Sequence, residues 1–131
     1  MENGRPSSEE AREVAAIAKE FEQSHKILTA LGDETRQHLI IVMMQSGNCE
    51  GLRVNDIASR TSLSRPAVSH HLQILKDAGI VKMRKEGTRN FYYFDETAKA
   101  LDQLIKTLSH AKRVVSRLPD RSDPKSERFA N

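Results

Sequence analysis

The stretch that decides the fold is RVNDIASRTSLSRPAVSHHLQILKDAG, residues 53–79. Its pattern predicts two short helices joined by a tight bend, the first over about residues 54–60. The second helix begins at Ser64, whose side chain can accept hydrogen bonds from the free N–H groups of the first turn. Pro66 lies inside that turn, where its missing N–H costs nothing, and Gly79 is typical of a helix end.

The second helix is predicted to have two different faces. Val68, Leu72 and Leu75 recur at helical spacing and form an apolar side. The other side carries groups that suit the edges of base pairs, since arginine matches the acceptors of guanine and glutamine matches adenine. We therefore expect this helix to enter the major groove of DNA. The predicted base-reading residues are Arg65, Ser69, His70 and Gln73.

An amphipathic helix alone does not decide the function, because many polar helix faces are simply solvated. The next segment, IVKMRKEGTRNFYYFD at residues 80–95, favours the DNA-binding interpretation. Apolar and basic residues alternate over residues 81–84, and residues 91–94 are aromatic, as is typical of strands. Residues 85–90 are predicted to form the turn between them. A two-stranded ribbon with a basic tip, placed after a candidate recognition helix, is a wing.

The order of these elements closely resembles the ArsR-type winged helix-turn-helix transcriptional regulators. The resemblance is carried by VSHHLQILKDAGIVKMRKEGTRNFYYF at residues 68–94 and by LTALGDETRQHLIIVMM at residues 28–44, and it covers the flanking helices more loosely. It implies a mainly α fold with a two-stranded β wing and an all-helical dimer interface. It also implies a homodimeric repressor, not an enzyme, that binds a palindromic operator in double-stranded DNA and leaves it on meeting an inducer.

The resemblance extends the predicted DNA site to further residues. In the family an Asp-x-Thr-Arg tetrad opens a helix near the DNA backbone, so Thr35 and Arg36 are candidates for phosphate contact. Arg36 as a surface partner for an acidic residue is an equal alternative. The wing is expected to hold phosphate or the minor groove. The complete predicted DNA-binding set is Arg65, Pro66, Ser69, His70 and Gln73 in the helix, with Lys85, Thr88 and Arg89 in the wing.

Charge is distributed as a DNA-binding surface requires. The whole chain has a formal net charge of only +3. Residues 53–94, however, hold eight lysines and arginines against three acidic residues, whereas residues 1–31 hold four against six. Positive charge thus gathers on the elements predicted to approach phosphate groups.

The outer helices are predicted to form a two-fold interface. The first helix follows a capping box at Ser7 and Glu10 and continues to about Leu31, before Gly32. The last helix is predicted from about Glu96 to Leu118, capped by Asp95. Apolar residues follow each helix at three-four spacing, in stripes longer than one small subunit can cover. The predicted interface residues are Val14, Ile17, Phe21, Leu101, Leu104, Ile105, Leu108 and Val115.

The remaining sequence sets the domain limits and the compartment. Residues 1–6 are expected to be a frayed start, residues 7–118 one winged helix-turn-helix domain with its dimerisation helices, and residues 119–131 a polar, disordered tail. We find no signal peptide and no apolar run of membrane-spanning length. The single cysteine excludes an intrachain disulfide framework, which favours the reducing cytoplasm.

No cofactor or metal is predicted. The family's Cys-x-Cys site would fall within residues 54–58, which contain no sulfur, and Asp102 and His110 lie about 12 Å apart along one helix, too far to chelate within a chain. A metal- or redox-responsive repressor that uses another site or Cys49 remains an alternative. So does a winged helix that binds only proteins. The inducer, the operator and the choice between repressor and activator stay open. No phosphate-binding loop or nucleophile-base pair indicates an enzyme.

Overall fold

A computed structural model describes residues 7–47, 50–119 and 122 of the 131-residue chain. Two compact units are present: a helical unit, Met1–Gln23 with Ile105–Asn131, and a winged unit, Ser24–Leu104. The predicted frayed start, Cys49 and most of the predicted tail lie outside the described residues. In chain order the elements are α1 (Ser8–Gln23), α2 (His25–Leu31), α3 (Glu34–Ser46), α4 (Val54–Ser59), α5 (Arg65–Asp77), β1 (Val81–Glu86), β2 (Arg89–Phe94) and α6 (Lys99–Ser116).

The two helices of the deciding stretch form as predicted and share one core. Ser64 accepts a hydrogen bond from the backbone N–H of Ala67 at 3.3 Å and caps α5. Val68, Leu72 and Leu75 are completely buried. Core positions of α2, α3, α4, β1 and β2 surround them. The apolar side of α5 is therefore fixed against the winged unit, which leaves its polar side outward.

The wing is an antiparallel hairpin with a shorter turn than predicted. β1 and β2 pair along their whole length, with Glu86 opposite Arg89 and Lys85 opposite Asn90. Only Gly87 and Thr88 remain in the loop, and Gly87 has φ +61°, as two-residue hairpin loops require at their first position. The predicted six-residue turn was wrong, because four of its polar residues pair as strand residues. Backbone pairing at an exposed tip does not require apolar side chains.

The root of the wing is tied to the segment before α4. Leu52 and Tyr92 exchange two backbone hydrogen bonds, each 2.8 Å long. The preceding residue, Gly51, has φ +102°, and a Cβ there would lie 2.9 Å from the carbonyl oxygen of Tyr92. Only glycine permits this approach without a shift of the backbone. The start of α4 and the strand β2 are thereby held in one register.

The first predicted helix is two helices in the structure. Ser24, with φ −97° and ψ 8°, separates α1 from α2. Its carbonyl still accepts from the N–H of Leu28 at 3.0 Å, so α2 begins at once. Apolar residues recur on both sides of this one-residue break. Periodicity alone therefore could not reveal it.

The last helix begins later than predicted. Asp95 does not cap it; its carboxylate instead accepts from the N–H and the hydroxyl of Thr97 at 2.9 and 2.6 Å. These hydrogen bonds lower the pKa of Asp95. Ala98 then adopts φ +50°, and α6 runs from Lys99. Because the carboxylate of Asp95 accepts hydrogen bonds within this local turn, it does not accept from the first N–H groups of α6.

The corner between α2 and α3 is held by side chains of α3. The last four carbonyls of a helix lack partners within it. Here all four accept hydrogen bonds: Leu28 from the N–H of Gly32 (3.0 Å), Thr29 and Ala30 from the Arg36 guanidinium (3.1 and 2.9 Å), and Leu31 from the Gln37 amide (2.7 Å). Arg36 is 8% exposed. It is therefore a buried structural residue, and its expected role as a phosphate contact was wrong. It does have an acidic partner, Asp33 at 3.9 Å, but its guanidinium is buried and not on the surface.

We predict that Arg36→Ala lowers the free energy of unfolding by about 3 kcal/mol, because it leaves two carbonyls at the end of α2 without donors. The measurement is urea denaturation at fixed protein concentration. Arg60→Ala is the matched control: Arg60 is exposed at the end of α4, and its loss should cost no more than about 0.5 kcal/mol. Equal, small losses for both variants would contradict this role of Arg36.

Candidate nucleic-acid interface

The polar side of α5 opens onto a groove that also borders α4 and the wing. The groove has a volume of about 680 Å³. Five of the predicted DNA-binding residues line it together, although they come from two elements. These are Arg65, Pro66 and Ser69 of α5 with Thr88 and Arg89 of the wing.

The other three predicted residues do not line this groove. His70, Gln73 and Lys85 are exposed. The Gln73 amide donates to the carboxylate of Asp77, one turn later, at 2.9 Å. This bond holds the Gln73 side chain along α5. The predicted contact surface thus divides into a concave part and an exposed margin.

Three polar lining residues were missed by the sequence analysis. Arg53 and Asn55 come from the start of α4, and Asn90 comes from β2. The backbone N–H of Arg53 donates to the carboxylate of Asp56 at 3.0 Å, which fixes the entry into α4. Arg53 had been counted only as part of the basic segment. No periodic pattern marks these positions, because a helix start and a strand contribute them separately.

The groove is positively charged. Its lining contains the guanidinium groups of Arg53, Arg65 and Arg89 and no carboxylate. Within the described residues, none of the three makes an ion pair. Three unpaired arginines from three elements around one concave surface match the spaced negative charges of a nucleic-acid backbone.

Two basic residues of the wing serve the fold instead. Arg84 lies over the ring of Phe91, 5.1 Å from its centroid, and donates to Glu86 and to the Glu50 carbonyl, both at 2.9 Å. Lys82 pairs with Glu96 at 3.3 Å, and this hydrogen bond raises the pKa of the lysine. The charge available to a ligand is therefore smaller than the residue count of this segment indicates.

The adjacent histidines of α5 have different surroundings. Nδ1 of His71 lies 3.2 Å from the guanidinium of Arg36, and burial lowers the pKa of His71. His70 is exposed, and the two ring centroids are 5.5 Å apart at an interplanar angle of 61°. Adjacent residues of a helix point about 100° apart, so one of these rings faces inward and the other outward. The inward one contacts α3, and the outward one borders the groove-facing side of α5.

Six of the eight predicted interface residues are exposed in the single chain. Their exposed fractions range from 37% for Phe21 to 64% for Val115, and the others are Val14, Leu101, Ile105 and Leu108. Ile17 and Leu104 are buried, at 9% and 8%. Leu104 belongs to the core cluster of the winged unit. Those two positions therefore already have contacts within the chain.

The described residues do not fit the family's metal chemistry. They contain no group of three or more histidine, cysteine, aspartate or glutamate side chains that could hold an ion. In the helical unit, the two ring nitrogens of His110 face Glu20 at 2.9 Å and Glu13 at 3.3 Å. Arg117 also bonds Glu13 at 2.6 Å, which lowers the pKa of that carboxyl. Both ring nitrogens of His110 are thus engaged by carboxylates of α1.

Comparison with known proteins gives one consistent result. The family model described as bacterial regulatory protein, arsR family, matches residues 33–83. An uncharacterised HTH-type transcriptional regulator of Methanocaldococcus jannaschii is 40% identical over 91 residues, which are 69% of this chain and 99% of that protein. A cadmium resistance transcriptional regulatory protein CadC homolog of Staphylococcus aureus is 37% identical over 92 residues, 70% of this chain and 72% of that protein.

A solved structure shows the same fold. It is the homodimeric winged helix-turn-helix DNA-binding domain of a Mycobacterium bovis protein, determined in solution. It matches with a TM-score of 0.53 and 25% identity, over 80% of this chain and 88% of that one. Among the described helices of this chain, none has the length and apolar character needed to cross a membrane.

Proposed function

The chain belongs to the arsR family of bacterial regulatory proteins, and on that premise we propose that it represses transcription as a homodimer on a palindromic operator. It is a DNA-binding transcriptional regulator and not an enzyme. The observation that carries the proposal is the groove in which three arginines, none of them ion-paired within the described residues, surround the exposed start of α5; they come from the residue before α4, from α5 and from β2. Since an operator lies in the cytoplasm, we place the protein there.

The groove suggests how one subunit holds DNA. The start of α5 lies in the major groove, where Arg65 donates to the paired acceptors of guanine and Ser69 bonds a neighbouring base or phosphate. His70 and Gln73, on the exposed margin, extend this contact along the helix. The wing follows the sugar-phosphate backbone through Lys85, Thr88 and Arg89. Arg53 and Asn55 hold the backbone on the other side.

The dimer is proposed to form through the exposed apolar residues of the outer helices. Leu101, Ile105, Leu108 and Val115 are spaced by four, three and seven residues, which places them on one side of α6. Val14 and Phe21, seven residues apart, form a second exposed pair on α1. A two-fold axis through this surface repeats the recognition helix and so requires an inverted repeat in the DNA.

Selection from a pool of random duplexes tests this function directly. We expect an inverted repeat with half-sites about 34 Å apart, or a multiple of that spacing. With Arg53, Lys85 and Arg89 of each subunit on phosphate groups, a dimer should lose affinity with salt at a log–log slope of about −5. No enrichment, together with weak binding to every duplex, would contradict the proposal and indicate a winged helix that binds a protein.

Arg65 and Arg89 should differ in what they contribute. We expect Arg65→Ala to relax the base preference at one position of each half-site, because Arg65 is proposed to contact a base edge. Arg89→Ala should weaken binding to all duplexes and reduce the salt slope by about one per subunit, because it contacts phosphate. Affinity for the selected operator and for random DNA, each titrated with salt, separates the two. Equal losses on both duplexes for Arg65→Ala would remove it from base reading.

We predict that Ile105→Glu raises the dissociation constant of the dimer at least about tenfold, since it places an unpaired carboxylate in an apolar interface. Ile105 is 60% exposed in the single chain, so the fold of a subunit loses little. Lys106→Ala is the control, because Lys106 is exposed on α6 and its loss also lowers the net charge by one. Sedimentation equilibrium measures both. An unchanged dimer in the Ile105 variant would place the interface elsewhere.

A further inference from the structure

We propose that Arg36 and His71 act as a positioning pair for the DNA-reading helix: Arg36 holds His71, and His71 sets the placement of His70 on the exposed side of α5. The inference rests on the proposed function, which assigns base reading to that side. Neither residue is expected to contact DNA. Arg36 is buried, and His71 faces inward from α5.

Arg36 is held in place before it reaches α5. Its Nε donates to the carbonyl of Ala30 at 2.9 Å, and one terminal nitrogen donates to that of Thr29 at 3.1 Å. The other terminal nitrogen lies 3.9 Å from a carboxylate oxygen of Asp33. These contacts fix the plane of the guanidinium, so the remaining donor has one direction. That direction ends at Nδ1 of His71, 3.2 Å away.

The contact with Arg36 determines the protonation state of His71. A guanidinium only donates hydrogen bonds, so Nδ1 must be the acceptor and must carry no proton. His71 is therefore neutral, with its proton on Nε2. Adding a second proton would remove the acceptor and place two cations 3.2 Å apart. The pair holds only while His71 is neutral.

The charged groups around His71 set the pH at which the pair fails. Burial is the largest influence and lowers its pKa from the ordinary value of 6.5. Asp33, at the start of α3, raises the pKa, while Arg36 and His70 lower it. The neutral form is thus favoured in the folded chain. The stabilising effect of the pair is complete above the ordinary value and is lost as pH falls through the lowered pKa.

The contact between the two histidine rings connects the state of His71 to the placement of His70 on the DNA-reading side. The His70 and His71 centroids are 5.5 Å apart in an edge-to-face arrangement. When His71 loses Arg36, its ring is free to turn, and His70 loses its inner neighbour. Acid should therefore reduce operator selectivity.

The test compares two substitutions of His71 in the full-length chain. His71→Gln keeps an acceptor for Arg36 but cannot be protonated, whereas His71→Leu keeps the bulk and removes the acceptor. For each chain we measure the ratio of affinities for the selected operator and for a random duplex at two pH values, one of about 7.5 and one below the lowered pKa of His71, which is located first from the pH dependence of the His71 NMR signals. Thermal unfolding at both pH values shows that each variant is folded under the conditions of measurement.

For the unmodified chain we expect this ratio to fall about tenfold between the two pH values, the size of one hydrogen bond to a charged group. The His71→Gln variant should keep its ratio within about threefold at both values. The His71→Leu variant should show the reduced ratio already at the higher pH. A ratio that does not change with pH in the unmodified chain, or equal behaviour of the two variants, would overturn the positioning pair alone. If the unmodified chain prefers no operator at either pH, the proposed function itself fails.

Discussion

The winged unit depends on one buried guanidinium. A short helix such as α2 ends with four carbonyls that need donors, and water cannot reach the buried ones. Arg36 supplies two of these donors and Gln37 a third, so the start of α3 completes the end of α2. The same guanidinium reaches His71 on α5. Three helices are thus oriented by one side chain that is always charged and always a donor.

The basic residues of the winged unit form two groups: some are bonded within the chain, and others border the groove. Arg36, Lys82 and Arg84 are engaged within the chain by carbonyls, carboxylates and aromatic rings. Arg53, Arg65 and Arg89 make no ion pair within the described residues and border one groove. Composition cannot separate these groups, because a lysine in a strand looks the same in sequence whether or not an acid faces it.

Sequence reasoning therefore succeeded where the signal is local. Helical spacing at Val68, Leu72 and Leu75, the cap at Ser64 and the paired strands all follow from neighbours in the chain. It failed where one residue changes role: Ser24 divides a helix whose apolar pattern continues, and Asp95 closes a turn instead of capping α6. The full lining of the groove could not be predicted from the sequence, because Arg53, Ser69 and Asn90 come together only when three elements pack.

The close approach at Gly51 has a consequence for how the wing can change. Its root is bonded to the segment before α4, where a methyl group would meet the Tyr92 carbonyl, whereas a Cβ at Gly87, at the tip, would have no atom within 4 Å. A side chain at Gly87 would be opposed only by its φ of +61°, whereas a side chain at Gly51 would be opposed both by its φ of +102° and by the Tyr92 carbonyl. Substitution of the exposed Thr88 and Arg89 could therefore change what the wing contacts while its root stays bonded to the segment before α4. The wing therefore has a constrained root and a tip that tolerates substitution beside Gly87.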